Sequence, residues 1–243
     1  METLAEKISN SKYSAGAEFE RSSKTYTRDI LKNILAGKVL DVGCGTGLNA
    51  AELQQMGHTV YGIDISPIAI EKFNEAGFTG KVCDLAQGIP FDDESFDTIF
   101  ASEVIEHVAD YPHLLNECNR TLRPGGKLVL STPNSAFWAY RILGLLGKTV
   151  SELQHPGHIR FFTLKMLGEA LRDAGFNDIT IGARHMYCIL PGSFFTRFEK
   201  LLVKYGFKKE MRFKTGTHFW QLSRFKEKAN GFWADTLIVT ASK

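Results

Sequence analysis

The sequence predicts an α/β fold in which helices cover both faces of a mostly parallel β-sheet. From about residue 38 onward, short apolar runs alternate with helical patterns. The runs are apolar throughout, as is typical of parallel strands that are buried on both faces. The length of 243 residues fits one domain of this kind with insertions. Ligands of such sheets bind at the carboxyl ends of the strands.

The predicted elements can be placed in order along the chain. Strands are predicted at 38–43, 58–65, 80–85, 96–102, 127–134 and 234–242, and in the short run DITIGA. Gly57 ends the first helix pattern. Ser66 as the N-cap and Pro67 at the first helical position begin the second pattern, which Gly77 ends. Later helix patterns are PHLLNECNRTL and LKMLGEALRDAGF, the latter with Thr163 as its N-cap, while RPGG predicts a turn.

An N-terminal segment and two insertions complete the predicted domain organisation. Residues 1–37 are predicted to be a helical segment or lid, and residues 38–243 the main domain. The insertions at 135–160, with the apolar stretch AFWAYRILGLLGK, and at 191–233 are predicted to form a substrate cap at the ligand edge of the sheet. Residues 193–230 carry ten Lys/Arg and three Asp/Glu with interleaved aromatic residues. A solvated basic surface and a groove for single-stranded nucleic acid are the alternatives for this insertion.

The composition narrows the class of protein. A net charge of +2 favours no particular partner by itself. Four cysteines without C-x-x-C spacing indicate a reduced, intracellular protein. The N-terminal residues lack the apolar core of a signal peptide, and no apolar run has the length of a membrane span. We therefore expect a cytoplasmic protein, and the apolar and basic cap leaves peripheral contact with a membrane open.

The stretch DVGCGTG indicates a nucleotide-binding turn, because it stands between a predicted strand and a predicted helix. Gly43 and Gly45 let the backbone turn sharply and approach a ligand closely. The carboxylate of Asp41, two residues before the first glycine, suits an amino group better than a phosphate. Asp64 and Asp84 end the next two strands, where they are placed to accept from ribose hydroxyls and from an adenine amino group. An adenosine with a cationic amino-acid tail and no phosphate describes S-adenosyl-L-methionine.

Five motifs resemble, in order and spacing, those of the class I S-adenosylmethionine-dependent methyltransferases. They are VLDVGCGTG, GIDIS, CDL, FDTIFASEVIEHV and LRPGGKLVLSTPN, and the final strand DTLIVTASK also fits. The resemblance implies a Rossmann-like three-layer αβα sandwich, with a seven-stranded, mostly parallel sheet and an antiparallel last strand beside the fifth. For the cofactor it implies Asp41, Gly43 and Gly45 at the methionine part, Asp64 at the ribose, Ile65 on the adenine, Asp84 and Leu85 at the adenine edge, and Glu103 beside the sulfonium.

The octet ASEVIEHV, which follows the fourth strand, admits three hypotheses. A helix is predicted to begin near Glu103, so that Glu103, Glu106 and His107 share the face opposite an apolar stripe. These residues could simply complement the helix dipole. Alternatively, Glu103 contacts the cofactor while His107 orients the substrate or accepts its proton. In the third hypothesis, all three residues bind a divalent cation.

The segment HPGHIRFF contributes two further candidates, His155 and His158. Either is predicted to accept a proton or contact the substrate from the cap, or to complete the cation site. The sequence is also similar to the ubiquinone-pathway O-methyltransferases, whose E-x-x-E-H at this position is associated with a divalent ion. Small-RNA 3′-end methyltransferases share a similar arrangement, and many related methyltransferases carry EH here without a metal.

Taken together, the sequence predicts an enzyme that methylates a small molecule of apolar or anionic character. Oxygen is favoured over nitrogen as the acceptor atom, because ASEV replaces the N-P-P-Y-like segment of nucleobase N-methyltransferases. Methylation of a nucleobase nitrogen is thereby disfavoured, and nucleic acid is not the expected partner. The alternatives are an RNA 3′-end or other macromolecular methyltransferase and a catalytically silent cofactor-binding scaffold. An NAD dehydrogenase is a weaker one.

Overall fold

The computed structural model describes residues 7, 9, 10, 13, 37–154, 157–191, 208–214 and 217–243; for 185–191, 208–214 and 217–225 the description covers the backbone. The described strands are β1 (Lys38–Val42), β2 (Thr59–Asp64), β3 (Thr79–Val82), β4 (Phe96–Ser102), β5 (Leu122–Pro133), β6 (Asn177–Pro191), β7 (Lys208–Lys214), β8 (Thr217–Lys226) and β9 (Ala234–Ser242). The described helices are α1 (Leu48–Gln55), α2 (Pro67–Glu75), α3 (Tyr111–Thr121), α4 (Trp138–Leu145), α5 (Val150–Leu153) and α6 (Leu164–Asp173), with a 3₁₀ turn at Ile105–His107. Within these residues, no helix combines the length and the apolar character that a membrane crossing requires.

The described strands form one sheet in the order β3-β2-β1-β4-β5-β9-β6-β8-β7. Parallel pairing joins β3, β2, β1, β4 and β5, and β9 runs antiparallel between β5 and β6. The predicted fold class is therefore confirmed: β1 to β6 and β9 form the seven-stranded, mostly parallel sheet, with the antiparallel last strand beside the fifth. The carboxyl ends of β1, β2, β3, β4 and β5 lie along one edge, which is where a ligand is expected.

The second insertion contributes to the sheet itself. Within the predicted insertion at 191–233, β7 and β8 pair antiparallel with each other, and β8 pairs with β6. They lengthen the seven-stranded sheet by two strands at the β6 edge. Residues 192–207 and most of the predicted N-terminal segment lie outside the described residues. The capping role of the insertions stays a prediction.

One local prediction agrees with the structure and one differs from it. The turn predicted at RPGG lies within the span of β5: Phe96 pairs with Leu122 and the next pair is Thr98 with Lys127, so the four residues 123–126 face a single residue of β4. Gly125 has a positive φ of 75° in this turn. The helix predicted to begin near Glu103 is only the 3₁₀ turn at Ile105–His107. The first long helix after β4 is α3, whose N-cap is Asp110.

The core has two layers, one on each face of the sheet. Alternate residues of β1 point to opposite faces, so Leu40 and Val42 pack in one cluster and Val39 in the other. The first cluster includes residues of α3 and α6, and the second includes residues of α1 and α2. The predicted N-caps are present, since the side chains of Ser66 and Thr163 accept backbone N–H bonds at the starts of α2 and α6. These layers fix the strand ends that carry the candidate site.

The loop before β4 is held by the side chain of Arg120 on α3. Its guanidinium donates to the carboxylate of Glu117, to Asp93 and to the carbonyl oxygens of Ile89 and Phe91, at distances of 2.6 to 3.0 Å. Glu117 also accepts the N–H of Ile89 at 2.8 Å. The hydrogen bond from Arg120 lowers the pKa of Glu117 from its ordinary value of 4.5 to about 2. The ionised carboxylate is thus the form that stabilises this loop.

A pH-dependent stability follows from the pKa of Glu117. Because the pKa is lower in the folded state, the stabilisation is present above about 4.5 and is lost as the pH falls toward about 2. Urea unfolding of Glu117→Gln is expected to show lower stability than wild type at neutral pH and a smaller loss on acidification. Glu169→Gln, on the exposed part of α6, is the matched control and should follow the wild-type curve. Parallel curves for wild type and Glu117→Gln would contradict the assignment.

Candidate active site

The glycine turn after β1 requires its glycines. Gly43 and Gly45 have φ values of 69° and 54°, in the left-handed region. A Cβ on Gly43 would lie 2.7 Å from a methyl carbon of Val104, and one on Gly45 would lie 2.8 Å from the hydroxyl of Tyr13. The N–H groups of Gly43 and Cys44 both donate to the carbonyl of Ile63, at 2.8 and 3.0 Å. The turn is therefore tied to the end of β2.

Asp41, at the carboxyl end of β1, is a fully buried carboxylate. Neither of its oxygens has a hydrogen-bond partner within the described part of the chain. Burial, and secondarily the charge of Asp64, raise the pKa of Asp41 well above its usual range. A buried carboxylate without donors is costly unless a ligand supplies them. A cationic group such as an ammonium would satisfy it.

Asp64, the last residue of β2, joins the glycine turn to the start of α2. Its carboxylate accepts the N–H of Gly45 at 3.1 Å and the N–H of Ser66 at 2.9 Å. The described N-terminal residues approach the same place. The hydroxyl of Ser9 donates to Asp64 at 3.4 Å, and Ser66 donates to the side-chain oxygen of Asn10. Sequence reasoning missed these N-terminal contacts, because nothing local to residues 7–13 indicates where the segment docks.

The remaining predicted adenine contacts lie along the same edge. Ile65 follows β2 directly, and Asp84 and Leu85 follow β3; all three are half-buried. The Asp84 carboxylate accepts the N–H of Ala86 at 3.0 Å, which holds it at the start of a turn. Since β3 is the neighbour of β2 in the sheet, Asp84 and Leu85 lie on the side of Asp64 that is away from β1 and β4.

Glu103 occupies a sharp turn at the end of β4. Its φ is 58°, an uncommon value for a residue with a side chain, and its N–H donates to the carbonyl of Ser131 at 2.9 Å. The Ser131 hydroxyl donates to the Glu103 carboxylate at 3.1 Å. The strand-end rule could have indicated Ser131, because β5 neighbours β4 and ends at the same edge. These bonds to β5 explain why no helix begins at Glu103.

Glu106, His107 and His158 lie together at the turn that follows β4. One ligand atom of each lies within 4.8 Å of those of the other two, and the two imidazole rings meet edge to face at 4.7 Å. The buried carboxylate of Glu106 accepts the hydroxyl of Thr132 at 3.0 Å, and its other oxygen is 3.9 Å from Nε2 of His158. The structure thus joins His158, from the 135–160 insertion, with two of the three sequence candidates. His155 lies outside the described residues.

The hydrogen bonds of the two histidines direct their Nε2 atoms. Nδ1 of His107 is 2.8 Å from the carbonyl of Gly157, and Nδ1 of His158 is 2.9 Å from the side-chain oxygen of Gln154. Because a carbonyl oxygen can only accept, Nδ1 is assigned as the protonated nitrogen in both rings. Nε2 is then the acceptor nitrogen of each neutral ring. A carboxylate oxygen and two such nitrogens form a donor set suited to a divalent cation.

Comparison with known families identifies the chain. A family model described as a methyltransferase domain matches residues 16–181, which is more than half of the sequence. The chain belongs to the methyltransferase family. The resemblance carried by the five motifs is thereby confirmed.

Among curated proteins, the methyltransferase is similar to ubiquinone biosynthesis O-methyltransferases. It is 34% identical to the human mitochondrial protein over 137 residues, which cover 52% of this chain and 37% of the human one. It is 33% identical to the protein of Pseudomonas syringae over 160 residues, which cover 59% of this chain and 66% of the other. The matches thus span about a third of the human relative and just under two thirds of the bacterial one.

Solved structures share the fold of this methyltransferase at low sequence identity. A SAM-dependent methyltransferase from Thermotoga maritima is 19% identical, with a TM-score of 0.62 and coverage of 89% of this chain and 87% of that chain. A phosphoethanolamine N-methyltransferase of Haemonchus contortus in complex with S-adenosyl-L-methionine is 19% identical, with a TM-score of 0.54 and coverage of 90% and 52%. These likenesses support the fold independently of the motifs.

The region around β6, β9 and α4 of the methyltransferase holds polar residues that sequence reasoning missed. Arg184 on β6 and Asp235 on β9 form a buried ion pair, in which Nε of the arginine donates to both carboxylate oxygens at 2.9 and 3.0 Å. Burial, followed by the charge of Asp235, raises the pKa of Tyr140 on α4. Arg184, Asp235, Tyr140 and Gln154 do not form a recognisable sequence motif. They come together only in the folded chain, where the sheet meets the 135–160 segment.

Proposed function

We propose that this methyltransferase transfers a methyl group from S-adenosyl-L-methionine to an oxygen atom of a small, largely apolar acceptor. The observation that carries the proposal is the Glu106, His107 and His158 cluster at the ends of β4 and β5, where Glu106 binds Thr132 and Glu103 binds the preceding residue, Ser131. A donor set for an activating cation thus adjoins the predicted cofactor edge. The names of the ubiquinone biosynthesis relatives support oxygen as the acceptor atom.

The residues present fit the cofactor. Asp41 offers a buried carboxylate to an amino group, and the left-handed glycine turn at Gly43 and Gly45 follows it at the same strand end. Asp64 ends β2 where a ribose is expected, and Ile65 follows it. When bound, the cofactor supplies a methyl group that its sulfonium already activates. The main task of the chain is then to hold donor and acceptor in line.

The residues present also fit a divalent cation, which we propose is held by Glu106, His107 and His158, with Glu103 nearby. Bound there, such an ion would favour loss of a proton from a coordinated hydroxyl group. The chain contributes the fixed orientation: Gly157 and Gln154 hold the histidine rings, and Thr132 holds Glu106. Nε2 of His107 or His158 cannot bind a metal ion and accept a proton at the same time. Of these two roles, we propose metal binding.

The cap and the location are further parts of the proposal. We propose that residues 1–37 and the insertions at 135–160 and 191–233 cover the site. Tyr140, Gln154 and His158, from the first insertion, support this role by their position. The cysteines Cys44, Cys83 and Cys118 are free and buried, which supports a reducing compartment such as the cytoplasm.

Transfer of a labelled methyl group to three acceptor pools tests the proposed function. The pools are phenols with a quinol-like ring, lipids, and small RNA, each incubated with the full chain and a divalent ion. We expect labelled product in the phenol pool, carrying an oxygen-linked methyl group. Labelled RNA alone would favour the macromolecular alternative. Tight binding of S-adenosylhomocysteine with transfer to no pool would favour the scaffold, and stabilisation by NAD but not by S-adenosylhomocysteine would revive a dehydrogenase.

A further inference from the structure

Tyr140, on helix α4, brings a hydroxyl group close to residues at the ligand edge of the sheet. Its N–H donates to the carbonyl of Phe137 at 3.1 Å, and its half-buried ring packs edge to face on the buried ring of Phe137, with 5.6 Å between the centroids. Burial, and then the charges of Asp235 and Glu103, raise the pKa of Tyr140. The hydroxyl therefore keeps its proton at neutral pH and is a fixed hydrogen-bond donor.

Gln154, which follows helix α5, holds a second donor that the described part of the chain leaves unused. Its Oε1 lies 2.9 Å from Nδ1 of His158, the nitrogen assigned as the donor. Its Nε2 is buried and has no hydrogen-bond partner among the described residues. The amide lies close enough to the Tyr140 hydroxyl to lower the pKa of that tyrosine. Because an unpaired buried donor is unfavourable, an acceptor atom on a ligand would satisfy both neighbouring donors.

The charges around the two donors favour a neutral ligand atom. Arg184 is engaged with Asp235 in the buried ion pair, in which its Nε donates to both carboxylate oxygens. At the Tyr140 hydroxyl, Asp235 has a larger effect on the pKa than Arg184 has, and Glu103 adds a second negative charge. A ligand carboxylate would be repelled at this place. A carbonyl or ether oxygen accepts hydrogen bonds without a charge.

We propose that Tyr140 and Gln154 determine acceptor specificity by donating hydrogen bonds to a second, neutral oxygen atom of the acceptor. The first oxygen is the one that receives the methyl group, at the cluster that contains His158. Gln154 connects the two positions, since its amide oxygen holds His158 while its amide nitrogen has no other partner among the described residues. This inference rests on the proposed function and deepens it. A site built to donate to an oxygen discriminates against analogues that lack it.

Matched phenols test the proposal with the full chain, S-adenosyl-L-methionine and a divalent ion. Methoxyphenols and ethylphenols are similar in shape and differ by one ether oxygen, while hydroxybenzoates carry a carboxylate instead. Wild type should show its highest kcat/KM with methoxyphenols. Tyr140→Phe and Gln154→Glu should each lower the ratio of kcat/KM for methoxyphenols to that for ethylphenols by about threefold to tenfold, mainly through KM.

Controls separate a direct contact with the acceptor from a structural effect. Gln154→Glu keeps an oxygen that can accept from Nδ1 of His158, so the protein should retain its metal, which metal analysis after dialysis measures. Tyr111→Phe on α3 and Gln55→Glu at an exposed position of α1 change the same groups outside the site. Both should keep the wild-type ratio of kcat/KM.

Calorimetry provides a readout that does not depend on methyl transfer. Methoxyphenols titrated into the complex with S-adenosylhomocysteine should bind wild type about threefold to tenfold more tightly than either site variant. A methoxyphenol preference that survives both substitutions, or that is lost only together with the bound metal, would overturn the inference and leave the proposed function intact. Tighter binding of hydroxybenzoates than of methoxyphenols would also overturn it. Failure of wild type to methylate any phenol would contradict the proposed function, and this inference with it.

Discussion

Replacing Asp41 with asparagine is expected to stabilise the cofactor-free protein while weakening its affinity for S-adenosylhomocysteine by roughly tenfold to a hundredfold. The carboxylate is fully buried and has no hydrogen-bond donor among the described residues, so its ionisation opposes folding. The amino group of the ligand needs that same negative charge. The Asp41 carboxylate would therefore lower the stability of the cofactor-free protein and raise its affinity for the ligand.

The sign of the pH dependence follows from the raised pKa of Asp41. The pKa of Asp41 is higher in the folded protein than in the unfolded chain. Protonated Asp41 therefore contributes to the stability of the fold at a pH below the pKa of the unfolded chain, and this contribution is lost as the pH rises through the pKa of the folded protein. Asp41→Asn should remove this loss, so its advantage in melting temperature should grow with pH. Thermal unfolding over a pH series, with and without S-adenosylhomocysteine, measures both effects, and calorimetry measures the affinity.

Asp92→Asn is the matched control for the change in charge, because Asp92 is exposed and lies outside the site. It should leave both the melting temperature and the affinity close to wild type. An Asp41→Asn protein that binds S-adenosylhomocysteine as wild type does would show that Asp41 does not face the amino group.

Removing the divalent cation is expected to lower methyl transfer by about a hundredfold or more, and adding Mg²⁺, Mn²⁺ or Zn²⁺ back should restore it. His158→Ala and Glu106→Gln should show the same loss without the restoration. Their affinity for S-adenosylhomocysteine should stay near that of wild type, because neither residue is placed at the predicted cofactor contacts. Metal analysis after dialysis provides a readout that does not depend on activity, and both variants should retain less metal.

His113→Ala is the matched control for the histidine, since His113 lies on α3, outside the cluster. It should keep wild-type metal content and activity. Full activity after EDTA treatment, combined with no bound metal in the wild type, would instead assign Nε2 of His107 or His158 as the proton acceptor.

The parts of the site that depend on strand ends are predictable from sequence. In a parallel sheet the carboxyl ends of neighbouring strands meet at one edge, so the strand pattern alone groups Asp41, Asp64 and Asp84. The fold class follows from the same alternation of elements. The position of Glu103 at the end of β4 is predicted correctly, but its helical conformation is wrong. The N–H of Glu103 donates to the carbonyl of Ser131 on β5. Helix propensity depends on the local sequence, so it cannot predict a hydrogen-bond partner on another strand.

Site residues that belong to distant segments of the chain are harder to predict from the sequence. His158 is a candidate because it lies in the insertion that is predicted to form the cap, yet the sequence alone does not distinguish it from His155. Its closeness to Glu106 depends on how the 135–160 segment returns to β4. The docking of Ser9 and Asn10 near Asp64 likewise depends on tertiary contacts. The edge hairpin of β7 and β8 is predicted only as an insertion, because strand pairing at an edge has a weak local signal.

The way in which the 135–160 insertion returns to the residues after β4 has a consequence for engineering. The N–H groups of Ile159 and Arg160 both donate to the carbonyl of Glu106 at 3.0 Å, and the Arg160 side chain donates to the carbonyl of Ala109. These contacts use the main-chain oxygens of the β4 side, so they do not depend on which side chains occupy 106 and 109. A chimaera that exchanges the 135–160 segment for that of a relative should therefore dock in the same register. On the proposed capping role, such an exchange would transfer acceptor preference and leave the residues predicted to bind the cofactor unchanged.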